Sequence, residues 1–398
     1  MDQSYPVKNI PILSASQALA FSAGPMVVFI GGIVGAELAP TPALSTLPTA
    51  ISVVGLALTT IPAALLMRKV GRKNGFRLSA LLGVFASLLA AYALHLGSFA
   101  LFCLATFLLG GNGAFVQQYR FAATESVPPE HSSRAVSLVL VGGMVAGFLG
   151  PEIAKRTGDL LAYGEFTASF FILAGMYLVV IGLMSLLKPT LALQEQGDGL
   201  NRPLRRIAAQ PSFLAAVLSG TAAFGVMTFI MTATPLQMHT MSHYSLDQTA
   251  FVIQSHIIAM YLPSLFTGFL TERLGLTRLM LMGVLAMLGT VVVGVISRDL
   301  LHYWGALVLL GVGWNFLFVG GTVMLTRSYF PIERFKAQAA NDFTIFGFQA
   351  LASLSAGSVL FLANWDTLLM MTLPILLGIA GFILWLNRQT VTEASPAH

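Results

Sequence analysis

Apolar stretches of about 20 residues recur from one end of this chain to the other, and nothing constrains its fold more. A helix rises about 1.5 Å per residue, so each stretch can cross the roughly 30 Å of hydrocarbon in a bilayer. In that solvent every backbone N–H and C=O must be satisfied within the protein, which leaves only helices or closed barrels. The stretches are continuous and not alternating, which selects helices. Twelve are expected, at approximately 12 to 36, 44 to 67, 77 to 96, 98 to 122, 134 to 157, 164 to 187, 212 to 237, 246 to 271, 277 to 297, 303 to 326, 337 to 362 and 367 to 387. The composition agrees, with 56% hydrophobic and only 9% charged residues. The polar start from Met1 to Lys8 precedes the first stretch without a marked small-residue cleavage site, so that stretch is read as a retained helix.

Lys and Arg accumulate on the cytoplasmic side of membrane proteins. With both termini inside, only Lys155, Arg156 and Arg298 of the 21 basic residues fall on the other face. The net charge of +5 follows from that topology. No basic stripe with interleaved aromatics is present, so a nucleic-acid partner is not expected, and membrane lipid is. The only cysteine, Cys103, lies in an apolar stretch and is read as a small core residue.

The longest polar break, from Lys188 to Ser212, contains Gln194, Glu195, Gln196, Asp198, Arg202, Arg205 and Arg206. It divides the chain into an N-terminal six-helix half (1–188), a cytoplasmic central loop (189–211) and a C-terminal six-helix half (212–398). Internal echoes support two copies of one plan. Arg68-Lys69-Val70-Gly71-Arg72 follows the second stretch and Glu272-Arg273-Leu274-Gly275 the eighth, with the two glycines 204 positions apart. Pro128-Pro129-Glu130 and Pro331-Ile332-Glu333 repeat at nearly the same offset.

Here the chain resembles the major facilitator superfamily, whose signature between helices two and three is G-x-x-x-D-R-x-G-R-[RK]. Gly268-x-x-x-Glu272-Arg273-x-Gly275 fits it; the first copy has Ala64 for the opening glycine and Arg68 where the acid is expected. The resemblance implies an all-α integral membrane protein with two pseudo-symmetric six-helix halves, a central substrate site and alternating access. It also implies a gating role for Gly71, Arg72, Glu272, Arg273 and Gly275, for which topology determination is the alternative account. Gly142, Gly143, Gly147 and Gly150 make the fifth helix a surface for close helix packing.

Two pairs of soft donors sit in consecutive stretches: Met227 with Met231, then His256 with Met260, each at i, i+4. That spacing puts both members of a pair on one helix face. Helix seven runs outward and helix eight returns, which sets Met227 and His256 at similar depth, about 15 Å from the outer end. Thioether and imidazole donors suit Cu(I). Methionine is also a flexible filler of apolar helices, but an ionisable His256 in mid-membrane is a functional candidate by default. Met238, His239, Met241 and His243 lie between the same two helices, either capturing copper at an outer mouth or simply solvated.

Met227-x-x-x-Met231 followed by Thr232-Ala233-Thr234-Pro235, with His256-x-x-x-Met260, resembles the CcoA-type copper importers of bacterial inner membranes. The resemblance implies import of copper, as Cu(I), into the cytoplasm for haem-copper oxidase assembly. Copper is then the substrate and no permanent cofactor is needed, Met227, Met231, His256 and Met260 are its ligands, and a cytoplasmic copper chaperone is a candidate recipient. Some of those relatives carry cysteines where this chain has Ser219 and Ala223, so no thiol-dependent step is carried over.

Asp342 and Glu152 are the acids expected within the bilayer and the candidates for proton coupling. Each has a structural alternative, as a helix cap or in a pair with Arg327, Arg334 or Lys336. Asn112, Gln117, Gln118 and Asn315 are either polar groups of a cavity or interhelical hydrogen bonds. The rival function is a carrier of an organic solute such as a drug or vitamin, for which Trp314, Phe316, Gln117 and Gln118 would supply stacking and hydrogen bonds. A non-transporting copper receptor is not expected, because such a receptor would be recognised by an appended cytoplasmic signalling domain. An enzyme is not expected, because the chain has no HExxH, no phosphate-binding glycine loop and no Ser/His/Asp set.

Overall fold

A computed structural model describes residues 5–41, 44, 47–157, 160, 166–189 and 202–394. The first apolar stretch is α1 (Asn9–Ala20) followed by α2 (Ala23–Leu38). Next comes α3 (Leu47–His95), whose 49 residues would extend for about 73 Å, more than two bilayer crossings. It is two helices meeting at Gly71, where φ is 79° and ψ is 163°. Then follow α4 (Phe99–Val116), α5 (Tyr119–Thr124), α6 (Ser132–Thr157) and α7 (Thr167–Ser185). Beyond the central break come the short α8 (Leu204–Ala208), α9 (Pro211–Pro235), α10 (Leu246–Tyr261) and α11 (Ser264–Leu274). The chain ends with α12 (Leu276–Ile296), α13 (Leu300–Thr326), α14 (Arg334–Leu362), α15 (Trp365–Met370) and α16 (Leu373–Ala394).

Among the described residues nine helices are long and apolar enough to cross a membrane, or ten when the bent pair Phe251–Tyr261 and Ser264–Leu274 counts as one span. Pro263 sits at that bend, where it cannot donate to the helix ladder. Counting α3 as two spans and adding the 29-residue α14 gives the twelve of the apolar pattern. The polar run from Gln194 to Gly199 in the expected central loop lies outside the described residues.

The helices pack as two compact units. The first takes the described residues of 1–129, 138–198 and 338–343, the second those of 130–137, 199–337 and 344–398. In the first, α3 and α4 approach so closely that a Cβ on Gly55 would fall 2.2 Å from the Phe107 carbonyl oxygen. Gly142 and Gly150 of α6 do the same against α1 and α2, with a Cβ 2.2 Å from the Ser14 oxygen and 2.6 Å from that of Ser22. Close helix packing is what these small residues provide.

Several local features repeat between the two copies of the plan. Gly275 has φ 82° and ψ 159°, nearly the values of Gly71. Short 3-10 turns occur at both Pro129–His131 and Pro331–Glu333. Asn112 donates to the Ser79 carbonyl at 2.6 Å, and Asn315 to the Met260 carbonyl at 2.8 Å. Both asparagines are thus interhelical hydrogen bonds, the second of the two roles the sequence left open. In the turn at Glu333, the Arg202 guanidinium binds the carboxylate at 2.6 and 2.9 Å. Those hydrogen bonds outweigh its burial and hold Glu333 down to about 2.

Candidate functional site

In the second unit, α9 and α10 both pack against α13. Met227 is buried on α9, and its sulfur accepts from the Thr228 hydroxyl at 3.8 Å; Met231, one turn on, is half-buried. On α10, His256 is buried and its Nδ1 donates to the Leu307 carbonyl at 2.8 Å. A carbonyl only accepts, so Nδ1 carries the proton of the neutral ring and Nε2 keeps its lone pair. No described residue bonds that Nε2. Met260 is buried one turn further along. Gly311 of α13 permits this approach, since a Cβ there would fall 2.8 Å from both the His256 oxygen and the Met260 nitrogen.

The outer quartet does not form one solvent-facing cluster. Past Pro235, α9 continues into a π-helical turn, Leu236–Met241, which packs Met238 inward and leaves it fully buried. Met241 and His243 are exposed, and the side chain of His239 lies outside the described residues. No group of three or more His, Cys, Asp and Glu side chains that could hold a metal ion occurs among the described residues.

Around Trp314 stands a cluster of rings. Phe224 of α9 meets Trp314 edge-on at 5.3 Å, Phe318 at 5.0 Å and Phe346 at 5.4 Å. Trp314 stacks on Phe318 at 4.9 Å and meets Tyr261 at 5.5 Å. Aromatic pairs in this range favour edge-to-face and offset geometry, as most of these do. The Trp314 indole N–H is buried without a described partner, as is the Ser219 hydroxyl. The sequence pointed to Trp314 and Phe316 but not to Phe224, Tyr261, Phe318 and Phe346. Rings scattered among apolar residues carry no signal of their meeting.

The first unit holds a buried chain of charges. Arg72 binds Glu125 through Nε at 2.7 Å and Nη2 at 2.5 Å, and reaches Gln338 at 2.8 Å and Gln118 at 3.4 Å. Gln118 donates to Asp342 at 2.8 Å, Asn341 donates to the same carboxylate at 2.8 Å, and Arg120 forms an ion pair with it. Asp342 is thus bound to Arg120 and not to the Arg327, Arg334 or Lys336 expected from their nearness in sequence. An arginine inside an apolar stretch was the available signal. Glu152 is exposed near the end of α6 and pairs with Arg156 at 2.6 Å, one turn along the same helix.

At the repeated motif, Glu272 stands 3.4 Å from Arg134 and 3.9 Å from His131, and the Arg273 guanidinium lies 4.2 Å above the Phe269 ring. Gly268, the opening glycine of that motif, has the Arg134 Cα only 2.7 Å from where a Cβ would be.

The family model of the Major Facilitator Superfamily matches residues 12–334. The chain belongs to the Major Facilitator Superfamily. Its fold is shared with the Major Facilitator transporter FucP in its outward conformation, at a TM-score of 0.77 and 16% identity over 96% of this chain and 98% of FucP. The human organic anion transporter MFSD10 gives a TM-score of 0.76 at 13% identity, over 95% and 99% of the two chains. In sequence, the chain is 40% identical over 370 residues to the riboflavin transporter RfnT of Brucella anthropi, covering 92% of this chain and 93% of the relative. As a Major Facilitator protein it is a multi-pass membrane protein and a secondary transporter.

Proposed function

We propose that this transporter carries a flavin, riboflavin or a close analogue, across the inner membrane of a bacterium, with both termini cytoplasmic. The observation that carries the reading is the 40% identity to a riboflavin transporter over nearly the whole of both chains. The ring cluster around Trp314 supports it, because a flavin is a flat heteroaromatic that stacks well on such surfaces. The test is movement of labelled riboflavin by cells that cannot make the vitamin, with membrane insertion checked. Accumulation or efflux above the vector control supports the reading; inserted protein that moves flavin in neither direction overturns it.

Copper import is the second reading. The free Nε2 of His256 with Met260 one turn away favours it, since neutral imidazole and thioether suit Cu(I). The name of the 40% relative favours the vitamin instead. Radioactive copper uptake that is lost in Met227→Ala/His256→Ala would restore it. For coupling, Asp342 beside Arg120 is the candidate for proton exchange, with Glu152 the weaker one, and the gating role belongs to Gly71, Arg72, Glu272, Arg273 and Gly275.

A further inference from the structure

Before α9 enters the membrane, the chain that leads into it is tied down. Glu333 is fully buried and accepts four hydrogen bonds: from the Arg202 backbone N–H at 2.8 Å, from its guanidinium at 2.9 and 2.6 Å, and from the Phe330 N–H at 3.0 Å. Lys336 donates to the Arg202 carbonyl, and Gln210 donates to the Ser328 carbonyl at 2.8 Å. Residues 202–210, with α8 between their ends, therefore form a strap fastened at both ends to the turn between α13 and α14. Ile207 of α8 is its buried side chain. At the same level α9 begins at Pro211, α13 ends at Thr326 and α14 begins at Arg334. The strap thus lies where these helices leave the hydrocarbon.

Strap and turn expose two kinds of side chain. Leu204, Phe330 and Ile332 are exposed, and so are Arg205, Arg206 and Arg327. Segments 202–210 and 327–336 hold six basic residues against one acid, an excess of +5, as large as the net charge of the whole chain. That acid, Glu333, is already neutralised by Arg202. Lys and Arg set topology wherever they stand in a short cytoplasmic loop. Topology requires neither a fastened strap nor bare apolar side chains among the charges.

We infer that the strap and the turn form a docking surface for anionic phospholipid, with Arg205, Arg206 and Arg327 on the headgroup phosphates and Leu204, Phe330 and Ile332 in the adjoining acyl boundary. Apolar side chains beside arginines mark segments that lie in the plane of the membrane interface. A guanidinium fork matches two phosphate oxygens at once, and each basic side chain near an anionic surface strengthens binding about fivefold. A soluble anion would meet the arginines but leave the three apolar side chains in water, where lipid would cover them. The inference is independent of which solute the protein carries.

The full chain, purified in detergent, is offered phosphatidylglycerol or phosphatidylcholine with the same acyl chains, and retained lipid is counted by native mass spectrometry. The parent should retain phosphatidylglycerol about tenfold better or more, given three charges on the surface. Arg205→Gln/Arg206→Gln/Arg327→Gln should lose that preference, whereas Arg205→Lys/Arg206→Lys/Arg327→Lys should keep most of it. Arg68→Gln/Lys69→Gln/Arg77→Gln removes the same charge from exposed residues of the first unit and should leave the preference unchanged. Phe330→Ser/Ile332→Ser should weaken retention of both lipids. Millimolar inorganic phosphate should displace neither. A parent without the preference, equal loss in the two glutamine triples, or displacement by phosphate overturns the docking surface, the second by showing a diffuse charge effect and the third a plain anion site. Should the Arg205, Arg206 and Arg327 glutamine triple fail to fold, the parent's preference, Phe330→Ser/Ile332→Ser and the phosphate competition decide the matter.

Discussion

Asp342 and Arg120 neutralise each other where almost no water reaches: the carboxylate side chain is 0% and the guanidinium 2% exposed. Removing one partner of such a pair strands the other charge, which typically costs about 3–5 kcal/mol, more than the pair itself contributes. Asp342→Asn should therefore lower the stability of the detergent-solubilised protein by about that amount. Asp342→Asn/Arg120→Gln, which removes both charges, should cost clearly less than the two single changes summed. Thermal unfolding of the three variants checks this, and additive losses would show that the two side chains do not act as a pair. The sequence could single out Asp342, because an acid at the edge of an apolar stretch is expensive. It could not supply the partner, which stands 222 positions away while three basic residues lie closer along the chain. His256 was legible for the same reason as Asp342, and the atom that bonds its Nδ1 was not, since a backbone carbonyl has no sequence signature.

Gly71 and Gly275 show what the sequence could transmit about whole elements. The repeat at an offset of 204 marked them as equivalent, and both adopt a backbone conformation open essentially to glycine, with φ near 80° and ψ near 160°. At Gly275 nothing lies within 4 Å of where a Cβ would stand, so Gly275→Ala isolates the backbone penalty. A loss of about 1–3 kcal/mol is expected. Gly311 is the opposite case, where the crowding neighbours are the backbone of α10 at His256 and Met260. Gly311→Ala should push α10 from α13, cost about 1–3 kcal/mol by overpacking, and weaken substrate binding as well. Unfolding and flavin titration of the two variants separate the cases: unchanged binding in Gly311→Ala would detach the α10–α13 contact from the site. The apolar pattern also fixed the helix number, because a span must be long, continuous and apolar to exist in lipid at all. It placed Met238 in a loop only because a π-helical continuation past Pro235 leaves no mark in hydropathy.

At the scale of the whole molecule, fold and substrate separate. FucP and MFSD10 share this architecture at 16% and 13% identity, so the architecture alone selects no cargo, and the cargo must be argued from side chains. The soft-donor motifs and the ring cluster make opposite demands on the same helices. A Cu(I) path needs Met227, Met231, His256 and Met260 to act as ligands, and silver, which mimics Cu(I), should then compete for them. A flavin path uses Met227 and Met260 only as polarizable packing of their helices. In liposomes containing the purified chain, riboflavin uptake should therefore be unchanged by micromolar silver, and Met231→Leu, at a half-buried position, should transport flavin at close to the parent rate. Silver that abolishes uptake in the parent but not in Met231→Leu would place a soft cation on the transport path. The methionine pairs would then be part of the mechanism, because packing residues of one apolar helix have no reason to make an organic solute's movement depend on a metal.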